Sequence, residues 1–140
     1  MKKRILATIL SVCVVMGTIG IPIAQANWTG AEKEAAATRW VNTSTIALAM
    51  SFSSGTITSS GQILGDQGTT RIAVTFTLDK LVNGKYEYQD SWSASSSSML
   101  CSSTNKTSSC TSGTYKLSVK GTVTKNNYAE PIEDWLIKTF

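Results

Sequence analysis

The 140-residue chain contains no histidine. That removes the commonest general base, the Ser-His and Cys-His nucleophile pairs, and the usual zinc and copper ligands. Cysteine is scarce, with three residues at positions 13, 101 and 110, and no Cys cluster with metal-ligand spacing exists. Charge is also sparse: only 16% of residues are Asp, Glu, Lys or Arg. Three of the cations, Lys2, Lys3 and Arg4, open the chain, and taking them from the formal charge of +4 leaves +1 for the remainder. No block of one sign remains to steer toward nucleic acid or anionic lipid, so a nucleic-acid partner is not expected. After residue 40 no stretch carries helical periodicity, which excludes helix-built architectures.

What is present begins with MKKRILATILSVCVVMGTIGIPIAQA. A basic start, an apolar stretch from Ile5 and the small-x-small end Ala24-Gln25-Ala26 read as a signal peptide over 1–26, cut after Ala26. The expected location is therefore secreted, with membrane contact only through this segment before cleavage. Residues 27–39, with a short helix-prone run and no broad apolar stripe, read as an N-terminal arm. Residues 40–140 are the right length for one domain. Cys13 leaves with the leader, so Cys101 and Cys110 are expected to form one disulfide in an oxidising setting.

From Trp40 onward the apolar pattern has period two. Ile46, Leu48, Met50 and Phe52 alternate with small residues; Ile57 and Ile63 mark a second strand; Ile72, Val74, Phe76 and Leu78 face one way in a third. Asn83-Gly84 is a strong hairpin signal, after which Tyr86, Tyr88, Asp90 and Trp92 are expected to share one face. Tyr115, Leu117, Val119 and Val123 alternate in a later strand, and Asn126-Asn127 turns into a last one carrying Pro131, a residue expected at an edge or bulge. The expected core is Ile46, Leu48, Ile72, Val74, Phe76, Trp92, Tyr115, Leu117 and Val119. About seven short strands with a turn every ten residues or so predict an all-β, antiparallel immunoglobulin-like sandwich, with barrel closure the alternative. The run from Gly113 to Val119 also looks like the strand of such sandwiches that begins with a corner tyrosine, its hydroxyl bonded back to the backbone.

The hairpin GTTRIAVTFTLDKLVNGKYEY, Trp92 soon after it, the stretch GTYKLSVKGTVTKNN and the leader together resemble a group of small secreted β-sandwich proteins of Gram-positive bacteria, a domain of unknown function. The resemblance covers roughly residues 40–130. It implies the fold and an exported location, and it brings no catalytic residue, cofactor or ligand.

Residues 95–110, SSSSMLCSSTNKTSSC, are nearly all small and polar. Apart from Met99 and Leu100, read as one short inward strand, they cannot order themselves by burying apolar surface. The sequence reads as a loop closed by the cysteines, a constraint worth about 2.5–3 kcal/mol in the chain-entropy description. Such a loop is either a brace or a recognition loop with Asn105 and Lys106 at its tip. Trp28, Trp40 and Trp135 are the other candidate binding residues, as aromatic platforms for a glycan or a partner protein.

Catalytic readings are weak. Ser103-Thr104-Asn105-Lys106 has SxxK spacing without the accompanying motifs. Glu130, Glu133 and Asp134 cluster beside Trp135, as an acid-base pair would, but also as a solvated, charged sheet edge would. Asp66 in GDQG reads as turn chemistry before calcium binding. No catalytic residue, metal or cofactor is expected. The leading expectation is a secreted non-enzymatic module that binds an extracellular protein or glycan; a toxin-like, membrane-active effector is the alternative.

Overall fold

The computed structural model describes residues 31–32 and 40–140. The expected leader and Trp28 lie outside these residues, as does all of the expected arm except Ala31 and Glu32. Among the described residues every regular element is a strand: β1 (Ala31–Glu32), β2 (Thr43–Ser53), β3 (Thr56–Gly65), β4 (Thr69–Val82), β5 (Lys85–Ser96), β6 (Leu100–Thr107), β7 (Thr114–Lys125) and β8 (Tyr128–Thr139). They form a five-stranded sheet in the order β1-β8-β7-β4-β5 and a three-stranded sheet in the order β2-β3-β6. Pairing from β2 to β8 is antiparallel throughout, and the two sheets make a sandwich.

Three hairpins set the registers. Ser54-Gly55, Asn83-Gly84 and Asn126-Asn127 all have positive φ at both residues. That is the two-residue turn whose twist matches the flanking strands, and Asn and Gly adopt it at least cost. With register fixed, alternate residues turn inward. Ile46, Leu48 and Met50 from β2, Ile57 and Ile63 from β3, Ile72, Val74, Phe76 and Leu78 from β4, and Tyr115, Leu117, Val119 and Val123 from β7 are buried. Phe76 stacks on half-buried Trp92 of β5, with ring centroids 5.3 Å apart and planes 15° from parallel. Gly61 of β3 lies against that ring, so close that a Cβ on it would fall 2.1 Å from Phe76 Cε1. Tyr115 opens β7 fully buried, and its hydroxyl donates to the Thr111 carbonyl at 2.6 Å.

Two expectations fail here. First, Cys101 and Cys110 are both free and both buried. The segment meant to be a loop is instead strand β6, paired along its length with β3 from Ile57↔Thr107 to Ile63↔Cys101. Cys110 follows the far end of that strand, its amide donating to the Gly55 carbonyl at 2.8 Å. Cys101 and Thr107 are six extended steps apart, a span of about 20 Å, whereas a disulfide needs Cα atoms within about 7 Å. Polar contacts order the strand: Asp90 Oδ2 of β5 accepts from Asn105 Nδ2 at 2.9 Å and from Thr107 Oγ1 at 2.8 Å. Met99 and Leu100, expected to turn inward, are exposed.

Second, Tyr86 and Tyr88 do not share a face with Trp92. The β4–β5 register shifts between Leu78↔Asp90 and Asp79↔Tyr88, leaving Gln89 as an extra residue. A bulge of one residue inverts the alternation beyond it. Asp90 and Trp92 stay inside, while Tyr86 and Tyr88 are exposed on the opposite face.

Candidate functional site

Strand β8 shows how the fold divides its residues between two tasks. Glu130, Ile132, Asp134 and Leu136 are buried on one face; Pro131, Glu133 and Trp135 are on the other. The Glu130 carboxylate accepts the Val41 amide, the Asn42 amide at 2.8 Å and the Thr43 hydroxyl at 3.2 Å. Asn42 Nδ2 in turn donates to the carbonyls of Val123 and Tyr128, each at 3.1 Å. This clasp fixes the chain just before β2, and so holds Trp40 beside the outward residues of β8.

The result is an open groove of about 550 Å³ lined by Trp40, Lys120, Gly121, Pro131, Glu133 and Trp135. A second hollow, of about 310 Å³, shares Lys120 and Gly121 and continues over Ala73, Thr75, Ser93 and Ser95. The registers explain this course. Glu133 pairs with Lys120, Lys120 with Thr75, and Thr75 with Ser93, so these four outward side chains form one row running straight across β8, β7, β4 and β5. Lys120 and Glu133 are an ion pair at 3.0 Å, and the Thr75 and Ser93 hydroxyls bond each other at 3.0 Å. Beside the row, Lys116 Nζ sits 5.4 Å from the Trp135 ring and 5.5 Å from the Tyr86 ring. These cation–π contacts hold the indole in place from the side away from Lys120.

Of the sequence-derived candidates, Trp40 and Trp135 meet at one site although 95 positions separate them. Asn105 and Lys106 do not join them. Asn105 is occupied by Asp90, and Lys106 is exposed on the outer face of the three-stranded sheet. Ser103 and Lys106, three residues apart on a strand, point to opposite faces, so the SxxK spacing brings no hydroxyl to an amine. The carboxylate cluster is likewise dispersed: Glu133 points out, whereas Glu130 and Asp134 point in. Neither the acid-base pair nor the solvated edge describes it. Asp66 accepts a hydrogen bond from the Ser44 hydroxyl, and its carbonyl accepts from the Thr69 amide at 3.0 Å, as turn chemistry requires. No group of three or more potential metal ligands occurs among the described residues. Burial pushes the Cys101 thiol above its ordinary range, the opposite of what a nucleophile needs.

Sequence reading missed the transverse row and the Lys116–Tyr86 contact, because both depend on which strands become neighbours. The readable signal was the outward half of each alternation, in which Lys116, Lys120, Glu133 and Trp135 already stood in phase. No protein-family model matches the chain, and no curated protein matches it.

Proposed function

We propose that the chain is a secreted, non-enzymatic binding module whose recognition surface is the outer face of the five-stranded sheet, centred on Trp40 and Trp135. One observation carries this: two half-buried indoles from distant parts of the sequence converge on one open groove. Amphipathic aromatics are suited to that use, since they offer large, rigid contact area with little rotamer entropy to lose. The supporting geometry includes the dispersal of the carboxylates and the burial of the thiols, which leave the described lining of the groove without a thiol or a pair of carboxylates. The apolar side chains of β2, β3, β4 and β7 face the core, so a membrane-active form would have to turn the sandwich inside out.

The resemblance to secreted sandwich proteins of Gram-positive bacteria belongs to the same proposal, as does the immunoglobulin-like subtype. The order β2-β3-β6 against β8-β7-β4-β5 supports that subtype, with β7, opened by Tyr115, beside β4 as strand F stands beside C. The test is binding of the purified protein to an array of glycans and cell-surface proteins, with Trp135→Ala and Lys106→Ala compared against the unaltered chain. The reading requires a ligand whose binding Trp135→Ala abolishes and Lys106→Ala leaves intact. Loss on Lys106→Ala alone would move the site to the other sheet.

A further inference from the structure

We infer that the groove takes a neutral, linear oligosaccharide laid across the strands, an assignment that rests on reading this face as the binding surface. Three features select the ligand. The two hollows share Lys120 and Gly121 and follow the row from Glu133 to Ser93, which crosses three strand spacings, or about 14 Å; an elongated ligand can lie along them, whereas a compact apolar ligand needs an enclosed pocket. Among the described residues that line it, the only charged side chains, Lys120 and Glu133, neutralise each other at 3.0 Å, so this lining offers no net charge to a polyanion. A sugar ring presents an apolar C–H face and a rim of hydroxyls that donate and accept. The groove presents the counterpart: indole surface at Trp40 and Trp135, a donor in Lys120, an acceptor in Glu133, and two hydroxyls, Thr75 and Ser93, that do either.

The floor fits the same use. Ala73 is a small outward side chain two positions from Thr75, and Gly121 lines both hollows with backbone alone; a Cβ there would fall 2.1 Å from the Ala73 carbonyl oxygen. The backbone of β7 therefore approaches β4 closely at this point. Lys116 pins Trp135 before any ligand arrives, which lowers the ordering entropy that binding must overcome.

The probes are soluble hexasaccharides of β-linked glucose, N-acetylglucosamine and xylose and of α-linked glucose, with polygalacturonate as an anionic comparison. Each is titrated into the ¹⁵N-labelled protein with amide shifts followed, and heats are measured by calorimetry. The expected result is binding of at least one neutral hexasaccharide, unaffected by added salt, with shifts along Glu133, Lys120, Thr75 and Ser93. Trp135→Ala should weaken it tenfold or more, Thr75→Val several-fold, and Lys106→Ala not at all. Shift mapping on the unaltered chain and Thr75→Val keep the test decisive if Trp135→Ala folds poorly. Salt-sensitive binding of polygalacturonate alone overturns the neutral assignment. No response to any glycan, with a protein from the array bound in a Trp135-dependent way, overturns the inference while the broader reading survives. Glycan binding with shifts elsewhere, or no Trp135-dependent ligand at all, overturns both.

Discussion

Replacing Gly61 by alanine tests the packing between the sheets most directly. The added Cβ would lie 2.1 Å from Phe76 Cε1 and 2.6 Å from Cζ. Ordinary contact begins at 3.4 Å, so either the ring or β3 must move by more than an ångström. The ring has little freedom: Phe76 is fully buried and stacked on Trp92. Overpacking of this kind costs about 1–3 kcal/mol. Against it stands the lower unfolded-state entropy of alanine, about 0.4–1 kcal/mol, so a net loss of roughly 1–2 kcal/mol is expected. For a domain of this size that lowers the melting temperature by about 4–16 °C. Denaturant unfolding of Gly61→Ala, Phe76→Leu and the double variant forms a cycle in which the smaller side chain makes room for the methyl. The double variant should be more stable than the sum of the single losses by about 1 kcal/mol or more, as contacting residues are expected to couple. Additive losses, or a Gly61→Ala protein as stable as the parent, would refute the packing described here.

Asp90→Ala removes the acceptor that ties β6 to β5, and a loss of about 1–2 kcal/mol is expected, with hydrogen exchange accelerating first along β6. Thiol titration of protein beginning at Asn27, which lacks Cys13, should find two cysteines that react slowly in the folded protein and fully in denaturant, without prior reduction; finding none before reduction would restore the disulfide. Because burial raises the Cys101 thiol, the unfolded chain ionises at lower pH than the native one, so stability should fall as pH rises past the ordinary thiol range, and Cys101→Ala should flatten that fall in urea unfolding followed from pH 7 to 10. Tyr115→Phe keeps the buried ring but loses the bond to Thr111, and should lower unfolding free energy by about 1 kcal/mol. Glu130→Ala frees the lead into β2, and should change the Trp40 fluorescence and weaken ligand binding without removing any groove residue.

The sequence was most legible where local chemistry and periodicity agreed. The alternation in β2, β4 and β7 and the turns at Asn83-Gly84 and Asn126-Asn127 carried the strands, their faces and the two-sheet class, because side-chain direction in a strand is set by parity alone. It was least legible where one residue changed the parity or a distant partner decided the outcome. Nothing in Tyr86 to Trp92 announces that Gln89 will bulge, so period two puts the tyrosines on the same face as Trp92. The stretch from Ser95 to Cys110 lacks the apolar residues that mark a strand, yet its main half is one: its backbone pairs with β3, and Asp90 supplies what burial does not. Glu130 looked like solvent-facing charge because its three donors, at Val41, Asn42 and Thr43, lie nearly 90 positions away.

The groove depends in the same way on features remote from it. Its polar row exists only because three independent registers place Glu133, Lys120, Thr75 and Ser93 side by side. Asn83-Gly84 sets the pairing of β4 with β5, and Asn126-Asn127 that of β7 with β8. No tight turn joins β4 to β7; their register is held from the other face, where Ile72 meets Val123, Phe76 meets Val119 and Leu78 meets Leu117. A slip of one residue there would bury Lys120 and expose Val119, an exchange that costs far more than any single contact in the groove. The core thus selects the site through parity: each inward apolar pair fixes where its outward neighbours stand, and the outward neighbours remain free to vary. The bulge at Gln89 is the one departure from that parity in β5, and its consequence reaches the groove. By turning Tyr86 outward it completes the contact with Lys116 that steadies Trp135.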